Sequence, residues 1–161
     1  GTGVLLNNEM DDFSIKPGTE NSYGLIGYDA NAVEPGKRML SSMTPTFLES
    51  DRGFVILGTP GGSRIISMIL LATLEWINGG DAKSMVSLPR FHHQYHPDYV
   101  LYEEEAFMSS EIDELESMGH TFKKSNRQFG NMQIIMWEHE NNKIEIASDP
   151  RGKEKSREEV Y

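Results

Sequence analysis

The chain of 161 residues contains no cysteine, which excludes disulfides, thiolate metal sites and a cysteine nucleophile and leaves the redox compartment open. Long apolar runs are missing as well: no window reaches the roughly 18 apolar residues of a membrane span. Basic residues are scarce, 15 Lys and Arg against 25 Asp and Glu for a net charge of -10, the wrong balance for a surface that must neutralise nucleic-acid phosphates. There is no G-x-S-x-G elbow, and the five histidines, His92, His93, His96, His120 and His139, name no member of a serine triad. The neighbours His92 and His93 point to opposite faces of an extended segment, so they are expected to be structural rather than ligands of one ion. No metal and no cofactor is expected. There is also no initiator Met, charged n-region or apolar h-region; Gly1-Thr2-Gly3 reads as the start of a processed or trimmed piece.

What is present is centred on Leu57-Gly58-Thr59-Pro60-Gly61-Gly62-Ser63-Arg64. Phe54 to Leu57 reads as a buried strand, and the apolar run from Ile65 as a helix opening straight after the glycines. At such a turn the first helical amides have no partner inside the helix, and the peptide dipoles add partial positive charge. Paired glycines remove the Cβ atoms that would keep a ligand away. Backbone N–H groups there suit an oxygen that becomes negative during acyl transfer, or a phosphate. A bare packing turn fits the same residues.

With 37% apolar and 25% charged residues, the chain has the size and composition of a single domain over 1–161. In order, Val4 to Leu6 is a short strand candidate, Asn7 to Ser14 a tight polar loop, and 16–37 a long irregular loop rich in Gly, Asn, Pro and Ser. Leu40 to Leu48 enters a strand that turns through Glu49–Gly53 into Phe54–Leu57 as a hairpin. A helix over Ile65–Ile77, apolar all round, is expected to be buried on most sides. Asn78-Gly79-Gly80 ends it, and Asp81 caps a second helix through Val86. Pro89–Gln94 reads as a loop or edge segment and Tyr99–Tyr102 as a strand. Ser109 or Ser110 is expected to cap a helix that Gly119 stops. Strands are expected at Thr121–Lys124, Met132–Trp137 and Ile144–Ala147, with a solvated tail over Gly152–Glu159. The nine methionines are expected at core positions. The pattern is α+β, without regular βαβ alternation.

Three polar clusters invite chemistry: Glu9 with Asp11 and Asp12, the hydroxyl pair Ser41-Ser42, and Gly61-Gly62. Carboxylates suit an ammonium, and hydroxyls with amides suit a carboxylate, so together they match a zwitterion. Loop capping by Asp11-Asp12, and a simple turn at Ser41-Ser42, remain open on the residues alone.

Five blocks then carry a resemblance: Leu5–Ser14 (LLNNEMDDFS), Pro35–Thr46 (PGKRMLSSMTPT), Gly61–Arg64 (GGSR), Pro89–Gln94 (PRFHHQ) and Ala147–Arg151 (ASDPR). In that order and spacing, across nearly the whole chain, they resemble the small subunit of γ-glutamyltranspeptidases. The resemblance implies an N-terminal nucleophile hydrolase with a four-layer αββα sandwich, made as one precursor that cleaves itself into a large and a small subunit. It implies that an N-terminal Thr attacks the γ-glutamyl amide of glutathione-like compounds, its own α-amine serving as base. By position it gives Glu9 and Asp12 the substrate α-amino group, Ser41 and Ser42 the α-carboxylate, and Gly61 and Gly62 the oxyanion hole. In relatives a segment bearing the nucleophilic Thr precedes the block matching Gly3–Ser14. Thr2 is not that residue, so this chain is expected to be a small-subunit fragment without its nucleophile, inactive alone, with an unpaired edge and exposed apolar surface. Its partners are expected to be the large subunit of the same precursor and a small γ-glutamyl substrate, with no nucleic acid and no membrane span in this chain. Relatives lie in the periplasm, outside the cell or facing outward on the membrane, and the same location is expected here. Two rivals remain: an acylase or capsule-processing transpeptidase of the same fold, and a non-catalytic amino-acid-binding module.

Overall fold

The structure, a computed structural model, describes residues 1–4, 6–153 and 156. The strand candidate at Val4–Leu6 falls partly on Leu5, outside the described residues; the described Val4 and Leu6 are irregular and exposed. Regular structure begins with a hairpin, β1 (Thr46–Ser50) and β2 (Gly53–Gly58), and continues into α1 (Ile65–Ile77) and α2 (Ala82–Ser87). Then come β3 (Phe91–His92), β4 (Val100–Tyr102), α3 (Ser109–Ser117), β5 (Phe122–Lys124), β6 (Gln133–Glu138) and β7 (Lys143–Ser148).

Two sheets form. The larger is wholly antiparallel in the order β1-β2-β6-β7, and the smaller runs β3-β4-β5 with β4 and β5 parallel. Alternation along β2 and β6 decides which face is covered. Val55, Leu57, Ile134 and Met136 are buried and join Met68, Ile69, Ala72, Met85 and Val86 of the helices in one core. Arg52, in the β1–β2 turn, locks the hairpin to the end of α1. Its guanidinium donates to the carbonyls of Trp76 (2.6 Å) and Gly80 (2.7 Å) at and just beyond the helix C-terminus, where the negative end of the helix dipole favours a cation. Asp81 caps α2 through the Ser84 amide at 2.6 Å, as its residue type predicts.

Three expectations need correction. The N-cap of α3 is Met108, not a serine: the Glu111 carboxylate reaches back to accept the Met108 amide at 2.7 Å, which satisfies that donor without a hydroxyl. Helix α1 is not covered on most sides, since Ile66, Leu70, Leu74 and Ile77, spaced along one face, stay open to solvent within this chain. Methionines are not uniformly internal either: Met68, Met85, Met132 and Met136 are buried, whereas Met10, Met43, Met108 and Met118 are exposed.

The other face of the larger sheet is apolar and uncovered. Phe47, Ile56, Ile135 and Ile146 form one cross-strand row, with Phe54, Trp137 and Ile144 in the next. Phe47, Ile56, Ile135, Trp137 and Ile144 are between 38% and 65% exposed, far above a core strand's exposure. Beside the smaller sheet, the described residues thus give the larger sheet a helical layer on one face only, as in one half of an αββα arrangement.

Candidate active site

Strand β2 ends at Gly58, and the chain reaches α1 through a 3-10 turn, Gly62–Arg64. Gly61 has φ +150° and Gly62 φ +58°, values at which a side chain is strained. Among the described residues, the amides of Gly61 and Gly62 donate to no protein group. They stand at the leading end of a helix of 13 residues, where the dipole contributes partial positive charge.

A second 3-10 turn, Glu9–Asp12, carries three acidic residues, Glu9, Asp11 and Asp12. One residue fastens it in place. Asn31 donates from Nδ2 to the Asp12 carbonyl at 2.8 Å, accepts the Leu40 amide on Oδ1 at 2.9 Å, and accepts the Ser14 amide on its own carbonyl at 2.9 Å. The acidic turn and the approach to the serines are therefore held by a single side chain. Beyond Leu40 the chain runs irregularly to β1, with Thr44 Oγ1 donating to the Ser42 carbonyl at 2.9 Å.

These segments enclose a cavity of about 570 Å³ lined by Glu9, Asp12, Ser42, Gly61 and Gly62, with Asp11, Tyr23 and Gln133 among the other walls. Six of the seven residues in the three clusters singled out from the sequence thus share one space. Ser41 does not line it; its hydroxyl accepts the Met43 amide at 3.3 Å instead. The lining combines the acidic residues Glu9, Asp11 and Asp12, the hydroxyl residue Ser42, and a glycine turn whose amides donate to no protein group among the described residues. That is a complementary lining for an amino acid carrying a side-chain carbonyl.

The sequence assigns Tyr23 no role, and it shows Arg64 and Gln94 only as the last residues of the Gly61–Arg64 and Pro89–Gln94 blocks, without a role. The Tyr23 ring lies on the glycine turn, and the Arg64 guanidinium stands 5.7 Å from that ring and 5.0 Å from Phe129. The one available signal was a lone aromatic inside Asn21-Ser22-Tyr23-Gly24, a stretch otherwise made of turn residues. His92 is buried between Ser67 Oγ (2.8 Å) and Gln94 Oε1 (2.7 Å), while His93 meets Asp98 (2.9 Å). The two rings face different partners. Burial pulls the His92 pKa below the ordinary histidine value; the bond to Gln94 opposes this, and the nearby Arg64 and His93 add to it.

The Pro89–Gln94 and Ala147–Arg151 blocks also meet in a buried ionic quartet behind the site. Arg90 reaches Asp149 at 2.5 Å, and Arg151 reaches Glu103 at 2.5 Å and Asp149 at 3.2 Å. Every oxygen is used: Glu103 also accepts the Arg90 and Phe129 amides, and Asp149 those of Met132 and Arg151. Burial opposes the charge on Asp149, but the Met132 and Arg151 amides and the Arg90 guanidinium outweigh it and hold the carboxyl below the usual aspartate range. The quartet anchors β6, whose first residue Gln133 forms a wall of the cavity.

Residues 1–158 match the family model for gamma-glutamyltranspeptidase. The chain belongs to the γ-glutamyltranspeptidase family. It is 42% identical to the glutathione hydrolase proenzyme of Pseudomonas aeruginosa over 157 residues, covering 95% of this chain and 28% of that protein. With the glutathione hydrolase proenzyme of Escherichia coli it shares 44% identity over 152 residues, 93% of this chain and 26% of the relative. The chain therefore spans about a quarter of the length of these curated relatives. Among solved structures, an acivicin-inhibited gamma-glutamyltranspeptidase superposes with a TM-score of 0.84 at 40% identity, over 95% of this chain and 83% of that one. The gamma-glutamyltranspeptidase of Pseudomonas nitroreducens complexed with L-DON gives a TM-score of 0.82 at 41% identity, over 99% and 84%. A cephalosporin acylase from Bacillus halodurans, at 23% identity and a TM-score of 0.70, shares the fold. The mixed α and β architecture is thus that of the N-terminal nucleophile hydrolases.

Proposed function

We propose that this chain forms most of the small subunit of a two-subunit enzyme that hydrolyses or transfers the γ-glutamyl group of glutathione-like donors, with a large subunit cut from the same precursor. The observation that carries the proposal is the single cavity in which Glu9, Asp12 and Ser42 face Gly61 and Gly62. In this reading Glu9 and Asp12 hold the donor's α-ammonium, and Ser42, with Ser41 beside it, holds the α-carboxylate. The γ-carbonyl then lies under the glycine amides. The nucleophile is a threonine supplied from outside this chain. Its hydroxyl adds to the γ-carbonyl while its α-amine takes the proton, and the resulting oxyanion is held by the N–H groups of Gly61 and Gly62. Collapse expels the leaving amine, which takes that proton, and leaves a γ-glutamyl ester for water or an acceptor amine. By family resemblance alone, we place the enzyme in the periplasm or outside the cell.

Calorimetry of this chain with glutamate tests the cradle. Binding is expected, and Asp12→Ala should weaken it at least about tenfold, the loss of one charge-assisted contact. No binding to either protein would remove the reading. On the complete two-subunit enzyme, glutathione should be cleaved in strong preference to a glutaryl amide, whose acyl group lacks the α-amine that Glu9 and Asp12 address. The reverse preference would favour the acylase alternative.

A further inference from the structure

Gln94 uses every hydrogen-bonding position its amide has. Oε1 accepts the Ser63 hydroxyl at 2.8 Å and faces His92 Nε2 at 2.7 Å, while Nε2 donates to the carbonyls of Tyr23 at 2.8 Å and His96 at 2.7 Å. Two carbonyl acceptors on one side require the NH₂ group there, so the orientation of the amide follows from its neighbours. The oxygen then demands donors: Ser63 O–H and His92 Nε2–H, with His92 Nδ1 left to accept from Ser67 at 2.8 Å. One side chain thus links the glycine turn, through Ser63, to the loop that lays Tyr23 over it. The fit between these parts is tight. A Cβ on Gly62 would come within 2.5 Å of the Tyr23 ring, and one on Gly24 within 2.6 Å of Pro97. The loop gains a second tie where His96 Nε2 meets Glu20 Oε1 at 2.7 Å.

We infer that Gln94 is a positioning residue for the cavity: through four hydrogen bonds it sets the height of the Tyr23 loop above the Gly61–Ser63 turn, and so how closely the roof covers a bound donor. The inference rests on the donor-binding reading above. Gln94 touches no ligand itself. Its effect is to hold a roof and a floor at one separation, and the two halves of its amide serve them separately.

Gln94→Glu separates these halves, because a carboxylate can still accept from Ser63 and His92 but cannot donate to the Tyr23 and His96 carbonyls. In the complete enzyme the variant is expected to raise the donor KM about threefold to tenfold, the worth of an ordinary hydrogen bond or two, with kcat held within about twofold. Hydrogen exchange at the Tyr23, Gly24 and Leu25 amides should quicken by a similar factor while exchange in β2 and β6 stays unchanged. Gln94→Met, uncharged and of similar length, carries the same expectation should the glutamate variant not fold. Ser63→Ala should leave those loop amides alone. His93→Ala, which loses only a contact to Asp98, should change neither reading. Unaltered loop exchange in both Gln94 variants, or a rise spread equally over β2 and β6, would overturn the inference in favour of a general packing role. A wild-type enzyme that cleaves no γ-glutamyl anilide would instead remove the proposed function, and the exchange pattern would still decide the role of Gln94.

Discussion

The ring of Tyr23 rests directly on the α-carbon of Gly62. A methyl group there would stand 2.5 Å from the ring, at a backbone φ of +58°. Gly62→Ala must therefore move the aromatic or twist the turn, and a twisted turn would shift a glycine amide that donates to no protein group among the described residues. In the complete enzyme we expect kcat for a γ-glutamyl anilide to fall about 100-fold, the lower end of what one oxyanion donor contributes. Gly61→Ala meets only the movable end of Met68 at 2.6 Å but must also leave a backbone φ of +150°, so it too should lower kcat. An unchanged kcat in Gly62→Ala would show that this turn does not face the reacting carbonyl.

Asn31 joins the acidic and hydroxyl flanks without lining the main cavity. Asn31→Ala removes both side-chain bonds and keeps the backbone bond from Ser14. Glutamate affinity of this chain should fall about tenfold for two lost hydrogen bonds, with the helical circular dichroism retained. Asn31→Asp keeps the acceptor for Leu40 and should lie between. Full affinity in Asn31→Ala would mean that the flanks hold their spacing independently.

Asp149→Ala would strip the buried Arg90 of its carboxylate. Breaking a buried pair from one side typically costs about 3–5 kcal/mol. The urea midpoint should fall accordingly, and Asp149→Asn, which can still accept the Met132 amide, should lose less. A midpoint shift under about 1 kcal/mol would mean that water reaches the quartet freely.

Acid should weaken the fold in two stages. His92 has its folded pKa below the unfolded value of about 6.5, so its neutral burial stabilises fully above that pH. As pH falls below it, the unfolded chain takes up a proton that the folded chain refuses, and stability drops until the folded pKa is passed. Asp149, also depressed, contributes above the unfolded value of about 3.9 and loses that contribution as pH falls through its lower folded value. Urea midpoints from pH 8 to pH 3 should show both declines, and His92→Gln should abolish the first. A stability flat between pH 7 and pH 5 would contradict the assigned burial of His92.

Local signals were readable wherever neighbours in sequence settle the outcome. Gly61-Gly62 between an apolar strand and an apolar helix, Asp81 ahead of α2, and the hairpin around Asp51-Arg52-Gly53 all follow from residue type and spacing. Ser41 and Ser42 could not be told apart, because adjacent residues on an open segment present to different sides and only the fold selects one. The contact between Gln94 and Tyr23 is invisible for another reason: it spans 71 positions, and nothing local announces it. The solvent-facing stripe of α1 shows the same limit. An all-round apolar helix announces that each side wants a cover, without saying which chain provides it.

Strand β2 pairs with β6, Gly58 lying opposite Gln133, and both residues wall the cavity. The acidic turn, the serines and the glycine turn all leave the ribosome before that partner strand has been translated. A nascent chain therefore holds nearly all the groups of the proposed cradle, yet has no completed receptacle until Gln133–Glu138 emerges and zips alongside β2.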